Sequence, residues 1–230
     1  MARIINEEDY AARRNEILDA MQRLVYTKGY EQITIQDLLH ELQISKGAFY
    51  HYFRSKHTLL EALIERLLEE AIRFLTPILS DLQLTAIEKL HRYFDSVASW
   101  KSAQKTYLMA LLRVWYADDN TITRQKIQTA SIEQITPLLV EVIRQGIQEG
   151  TLAPAHPEQA GEVILCLLQG MGESIARLML KDQPQHSDLE YMAAISTAYN
   201  DAIERVLGAA SHSIHIFDPQ ILQEWIKVEE

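Results

Sequence analysis

Apolar residues recur along most of this chain at the three-to-four-residue spacing of an α-helix, and strand-like alternation is nearly absent. Ile17, Leu18, Met21, Leu24 and Val25 form one stripe of a first helix that ends at Gly29, with Lys28 in its last turn. Thr34 and Ser45 each stand one residue before a short amphipathic run, where a hydroxyl accepts from unpaired backbone amides and starts a helix. The second of these runs, from Lys46 to about Tyr52, puts Phe49 and Phe53 on one face. A long fourth helix from Lys56 repeats Leu60, Leu63 and Ile64, Leu67 and Leu68, Ala71 and Ile72, and Leu75, and should stop at Pro77.

Further helices are predicted near 85–100, 103–117 and 121–149, the last bent at Pro137, which forfeits one backbone donor, and closed by Gly150. A proline-containing linker, 151–157, leads to two long helices near 158–181 and 187–209. Asp218-Pro219 is a start signal for a short helix ending in Trp225. The pattern predicts an all-α chain: residues 1–56 as a three-helix head, 57–210 as a larger helical body, and 211–230 as a tail with a short helix. The run Val163-Ile-Leu-Cys-Leu-Leu168 reads as buried, Cys166 included.

Two short helices separated by a tight turn read as a helix-turn-helix, with Phe49 and Phe53 beneath and Lys46, Ala48, Tyr50, His51 and Tyr52 pointing outward. In that reading Lys46, Tyr50 and His51 enter the major groove of DNA, while Thr34, Tyr52 and Lys56 bind phosphates, Lys56 aided by the amide-rich start of the fourth helix. Gly47 permits close approach, and Gln36 and Ser45 complete the expected contact set. The bland reading of the same residues is a helical hairpin with a solvated polar face. Arg54 is the only arginine nearby, so shape and water are expected to supplement direct base readout.

Thr-Ile-Gln-Asp-Leu from Thr34, Ile-Ser-Lys-Gly-Ala-Phe-Tyr-His-Tyr-Phe-Arg-Ser-Lys from Ile44, Leu59-Leu60 and the upstream Ile17–Tyr30 segment together resemble the N-terminal domain of the tetracycline-repressor (TetR) family of bacterial regulators. The resemblance covers roughly residues 10–65. Gln43, where a glycine commonly ends the first helix of the motif, and Leu39, where alanine is usual, depart from the pattern. The family likeness implies contact roles for Lys46, Gly47, Tyr50 and Lys56, and an influence of His51 and Tyr52 on sequence choice. It also implies a homodimer formed by the last two helices, with Gly161, Gly170, Gly172 and Ala176 allowing close approach. An effector cavity in the body is implied as well, with Phe94, Tyr107, Leu111, Trp115 and Met171 expected on its wall and Arg113 and Glu173 as polar anchors or a solvated pair. The expected function is a ligand-responsive DNA-binding transcription regulator, most often a repressor in this family. It would bind a palindromic operator as a dimer and be released by a small, mostly apolar effector.

The net charge of −10 is unusual for a DNA binder, but its distribution is permissive. Residues 1–60 hold eight basic and eight acidic side chains, so the remainder carries the whole excess. An acidic body repels the duplex and turns the neutral head toward it. A single cysteine excludes an internal disulfide framework and suits a reducing cytosol, and no apolar stretch approaches a membrane span. A cytoplasmic protein without membrane association is expected. Signatures of nucleophilic, phosphate-loop and zinc chemistry are missing, and His212 and His215 lack a third ligand, so no enzyme activity, metal or cofactor is expected. The rival class is a helical carrier or enzyme whose head reads no specific DNA.

Overall fold

The computed structural model describes residues 7–117, 120–216 and Trp225. Among these are nine α-helices: α1 (Glu7–Lys28), α2 (Ile35–Leu42), α3 (Lys46–Tyr52), α4 (Lys56–Leu79), α5 (Ala86–Ala103), α6 (Lys105–Trp115), α7 (Thr121–Gln148), α8 (Pro157–Met179) and α9 (His186–Leu207). A 3-10 turn, Tyr30–Gln32, joins α1 to α2. No strand occurs among the described residues. The short helix expected around Asp218–Trp225 lies outside them, apart from Trp225 itself.

The chain packs as two compact units. Among the described residues, the first comprises 7–70, 106–117 and 120–124, and the second Ala71–Lys105 and 125–216. Residues 57–70 and 106–124 thus group with the head, where sequence reading had assigned them to the body. The reason lies in what α4 and α6 bury. Leu59, Leu60 and Leu63 of α4, and Tyr107, Leu111 and Val114 of α6, complete one hydrophobic cluster with Ile17, Leu18, Met21 and Val25 of α1 and Leu38, Phe49 and Phe53 of the two short helices.

Polar ties reinforce this cluster. Arg66 donates to Asp19 Oδ1 at 2.6 Å and Gln22 Oε1 at 2.7 Å, and the Tyr107 ring stacks on Tyr26 at 4.7 Å. Burial pushes the Tyr107 phenol well above its ordinary value.

Helix α1 begins well ahead of its apolar stripe, and α4 runs past its sequence-predicted end. Helix α1 starts at Glu7, a full ten residues ahead of its apolar stripe, because Glu7, Glu8 and Asp9 complement the positive end of its dipole. Helix α4 continues two residues past Pro77. The proline forfeits only its own donor, and Ser80 N still donates to Thr76 O at 3.1 Å.

In the second unit a core of α5, α7, α8 and α9 is closed by residues that follow α9: Ile214 and Ile216 are buried in it. That returning segment is held by the buried Glu204 carboxylate, which accepts from His212 N and Ile214 N, both at 3.0 Å. His91 Nε2 bonds Ser213 O at 2.9 Å and stacks on His215. Cys166 is exposed, contrary to expectation. The six-residue apolar run spans more than one helical turn, so Ile164 and Leu165 face the core while Val163 and Cys166 face outward.

Gly208 and Gly150 both sit in the left-handed region, at φ 58° and 72°. A Cβ on Gly208 would lie 2.1 Å from Ala153 O, whereas one on Gly150 would meet open space. Gly150→Ala should therefore cost only the conformational part, ~1–2 kcal/mol, and Gly208→Ala clearly more. Urea unfolding midpoints of the two variants, compared side by side, measure the difference.

Candidate nucleic-acid interface

Each helix of the short pair starts on a side-chain cap. Thr34 Oγ1 accepts from Asp37 N at 3.2 Å while the Asp37 carboxylate accepts from Thr34 N at 2.8 Å, a reciprocal box at the start of α2. Ser45 Oγ accepts from Ala48 N at 3.1 Å and starts α3. Between them Gln43 takes the left-handed corner, φ 51° and ψ 43°, and closes α2 without glycine. Its N–H reaches His40 O at 3.3 Å, and Ile44 N donates to Leu39 O at 3.1 Å. Leu39 is buried at this corner.

Helix α3 has seven residues and is held from beneath. Phe49 is 0% and Phe53 3% exposed. Their burial presents Lys46, Gly47, Tyr50 and His51 to solvent on the opposite edge, Tyr50 being 41% exposed with Lys46 Nζ 5.9 Å from its ring centre. Thr34, Gln36 and Ser45 are also exposed. The structure thus brings seven of the nine sequence-selected contact residues to accessible positions in one motif.

The other two are employed differently. Tyr52 is half-buried against Tyr10 of α1, with ring centres 4.8 Å apart. Lys56, at the start of α4, is half-buried too. Its Nζ donates to Tyr30 O at 2.7 Å and lies 4.0 Å from the Tyr30 ring centre. Burial pulls the Lys56 ammonium below its ordinary value, against the opposing pull of Glu31 and Asp37. The Tyr30 phenol is pushed up to about 12, mainly by burial.

Sequence reasoning missed two features here. One is the contact of Tyr10 and Arg14 with the C-terminal half of α3, since the apolar stripe of α1 begins only at Ile17. The other is the cap at the start of α4, where Ser55 and Thr58 bond reciprocally at 3.1 Å. That second signal was readable as a Ser-x-x-Thr spacing.

The five residues selected for an effector wall divide between the two units. Phe94 and Met171 are buried in the core of the second, while Tyr107 and Leu111 are buried in that of the first, which also includes Trp115. A groove of about 140 Å³ in the second unit is lined instead by Gln128, Ser131, Ile132, Ile135, Leu165 and Gln169. Among the described residues no group of three or more His, Cys, Asp or Glu side chains could hold a metal ion, and no helix is long and apolar enough to cross a membrane.

Asp37 joins the cap to α1. Its carboxyl is held far below the usual carboxylate range, first by the hydrogen bond from Lys28 at 2.7 Å and then by the backbone and hydroxyl of Thr34. A depressed folded value means that the stabilisation is complete above the unfolded value near pH 4 and fades as pH falls below it. Asp37→Asn should therefore lower Tm at neutral pH and flatten its decline between about pH 5 and pH 3. A set of thermal melts across that range checks the sign.

Comparison with known proteins agrees with this geometry. Residues 17–63 match the model of the tetR family of bacterial regulatory proteins. A nucleoid occlusion factor, SlmA, of Vibrio campbellii is 28% identical over 186 residues, covering 80% of this chain and 94% of that protein. The HTH-type transcriptional repressor Rv1474c of Mycobacterium tuberculosis is 39% identical over 59 residues, 26% of this chain and 32% of its own. The crystal structure of a TetR-family transcriptional regulator from Pectobacterium atrosepticum superposes with a TM-score of 0.65 at 19% identity, over 88% of this chain and 97% of that one. The capped α2–α3 pair thus lies inside the segment that matches the tetR family of bacterial regulatory proteins, and the fold of a solved regulator is shared over most of the chain's length.

Proposed function

We propose that this protein is a ligand-responsive repressor that binds a palindromic DNA operator as a homodimer. The observation that carries the reading is the exposed edge of α3, Lys46, Gly47, Tyr50 and His51, raised on the buried Phe49 and Phe53 within the family-matched segment. Lys46, Tyr50 and His51 enter the major groove, where Gly47 allows close approach. Thr34, Gln36, Ser45 and Tyr52 meet the sugar-phosphate backbone. Lys56 acts with the first amides of α4 through positive potential, its ammonium already committed to Tyr30 O.

Dimerisation through α8 and α9 sets two such edges about 34–36 Å apart, one turn of duplex. The apolar residues Ile164, Met171, Ile175, Leu178, Met192 and Ile203 are covered within the chain, so their burial gives no support for a partner. What supports the interface is the outer surface of the same helices: Val163 is 42% and Tyr191 50% exposed, Ala194 and Ala198 are exposed small residues, and a Cβ on Gly172 would meet nothing.

A small, mostly apolar effector binds the second unit and lowers operator affinity. Of the five proposed lining residues, Phe94 and Met171 lie in that unit, both buried in its core. A coupling of ~1–3 kcal/mol suffices for a 5- to 150-fold response. A second reading rests on the length of the match to SlmA. If this chain likewise acts in nucleoid occlusion, its chromosomal sites will be many and dispersed, whereas an operator-specific repressor occupies few sites beside promoters. A genome-wide binding footprint separates the two.

Electrophoretic shift with DNA flanking its own gene, against random duplex at stated salt, tests the function directly. Specific retardation is expected, and equal weak binding to both would overturn it. Lys46→Ala should cost about 1–3 kcal/mol of operator affinity and relax sequence preference, read from the affinity for operator against random duplex. Tyr50→Ala should cost operator affinity by roughly tenfold with dimer mass unchanged. Tyr50 is exposed, so an unfolded variant would move it from the reading edge to the core.

A further inference from the structure

Tyr10 sits in the first turns of α1, ahead of the family-matched residues 17–63. Its ring nonetheless meets the last turn of α3. The Tyr10 centroid is 4.8 Å from that of Tyr52, at a tilt of 36°, and 5.7 Å from that of His51, edge-on at 80°. His51 and Tyr52 are themselves 5.0 Å apart at 83°. Three rings thus close a triangle with the edge-to-face and tilted geometries that aromatic quadrupoles favour. One turn further along α1, the Arg14 guanidinium lies 5.1 Å from the Phe53 ring centre, and one turn beyond that Ile17 is fully buried. The face 10, 14, 17 of α1 therefore follows α3 from its exposed edge down to its buried floor.

The helix is seven residues long, and Phe53 already leaves it in extended conformation, φ −136° and ψ 125°. Helical side chains lean back over the preceding turn, and the residues four before His51 and Tyr52 are the small Gly47 and Ala48. Tyr52 is also packed against the hydrophobic cluster of the head, whereas the exposed His51 meets the rings of Tyr10 and Tyr52.

We propose that Tyr10 is a positioning residue outside the helix-turn-helix, one that fixes the side-chain direction of the groove-facing His51, directly and through the Tyr52 ring, and so sets which operator sequence is preferred. The inference rests on reading α3 as the recognition helix. It assigns a contribution to sequence choice to a part of α1 that touches no base.

The test uses the full-length protein and a consensus duplex obtained by selecting binders from a random pool with the wild-type chain. Preference is the affinity for that consensus divided by the affinity for a scrambled duplex of equal length. Tyr10→Phe keeps the ring and should keep the preference. Tyr10→Leu keeps apolar bulk and helical propensity but loses the ring, and should reduce preference about three- to tenfold. The loss should fall on the consensus alone, with scrambled-duplex affinity and salt slope unchanged.

In the free protein, the ring C–H resonances of the His51 imidazole should move in Tyr10→Leu and hold in Tyr10→Phe. Unchanged preference in Tyr10→Leu overturns the inference. Equal loss on both duplexes, shared by Tyr10→Phe, also overturns it, because it makes the Tyr10 hydroxyl a phosphate contact. No preference in the wild-type chain strikes the proposed function instead, and the positioning role then stands or falls on the His51 resonances.

Discussion

A seven-residue helix cannot hold itself in water, and everything that α3 offers to a partner depends on packing from outside it. Phe49 and Phe53 supply that packing by sinking into a cluster contributed by α1, α2, α4 and α6. Complete burial of a phenylalanine contributes about 1.5–3 kcal/mol relative to exposure, of the same order as the cost of nucleating the first turn. Orientation follows from the same contact. With the two rings fixed beneath, a 3.6-residue period leaves Lys46, Tyr50 and His51 no choice of side.

Local chemistry then fixes where the short helices begin and how they meet. Hydroxyl caps at Thr34 and Ser45 satisfy amides that the helices themselves leave unpaired, and Gln43 turns the corner between them in a left-handed conformation. The same economy explains Lys56. At the start of α4 its ammonium satisfies the carbonyl of Tyr30 and covers the Tyr30 ring, tying the 3-10 turn after α1 to the helix that follows α3. A residue selected from sequence as a phosphate contact thereby holds together the frame beneath the exposed edge of α3.

Legibility in the sequence tracked the range of the forces involved. The caps at Thr34 and Ser45, the stop at Gly29 and the Phe49/Phe53 face are set within a few residues and were readable, whereas the expected stop at Pro77 came two residues early and the Ser55/Thr58 cap was missed. Tyr10 was not, because its partners lie some forty residues away and its own neighbours Asp9 and Ala11 give no apolar periodicity. Cys166 was misplaced because a run of consecutive apolar residues does not say which of them faces in. The return of Ile214 and Ile216 to cover part of the second unit's core lies likewise beyond the last helix that periodicity predicts. The grouping of α6 with the head was invisible for the same reason, since no periodicity says which neighbour an amphipathic stripe will choose.

The buried carboxylate of Glu204 carries a consequence for any attempt to trim this molecule. Its two acceptor bonds come from backbone amides beyond α9, so a chain cut just after that last long helix would strand a negative charge in an apolar interior with no donors. Loss of both donors leaves an unsatisfied buried group beside Ile203 and Leu207 and loosens the core around them. The second unit therefore depends on the chain as far as residue 216, past the point where helical pattern alone would place its edge.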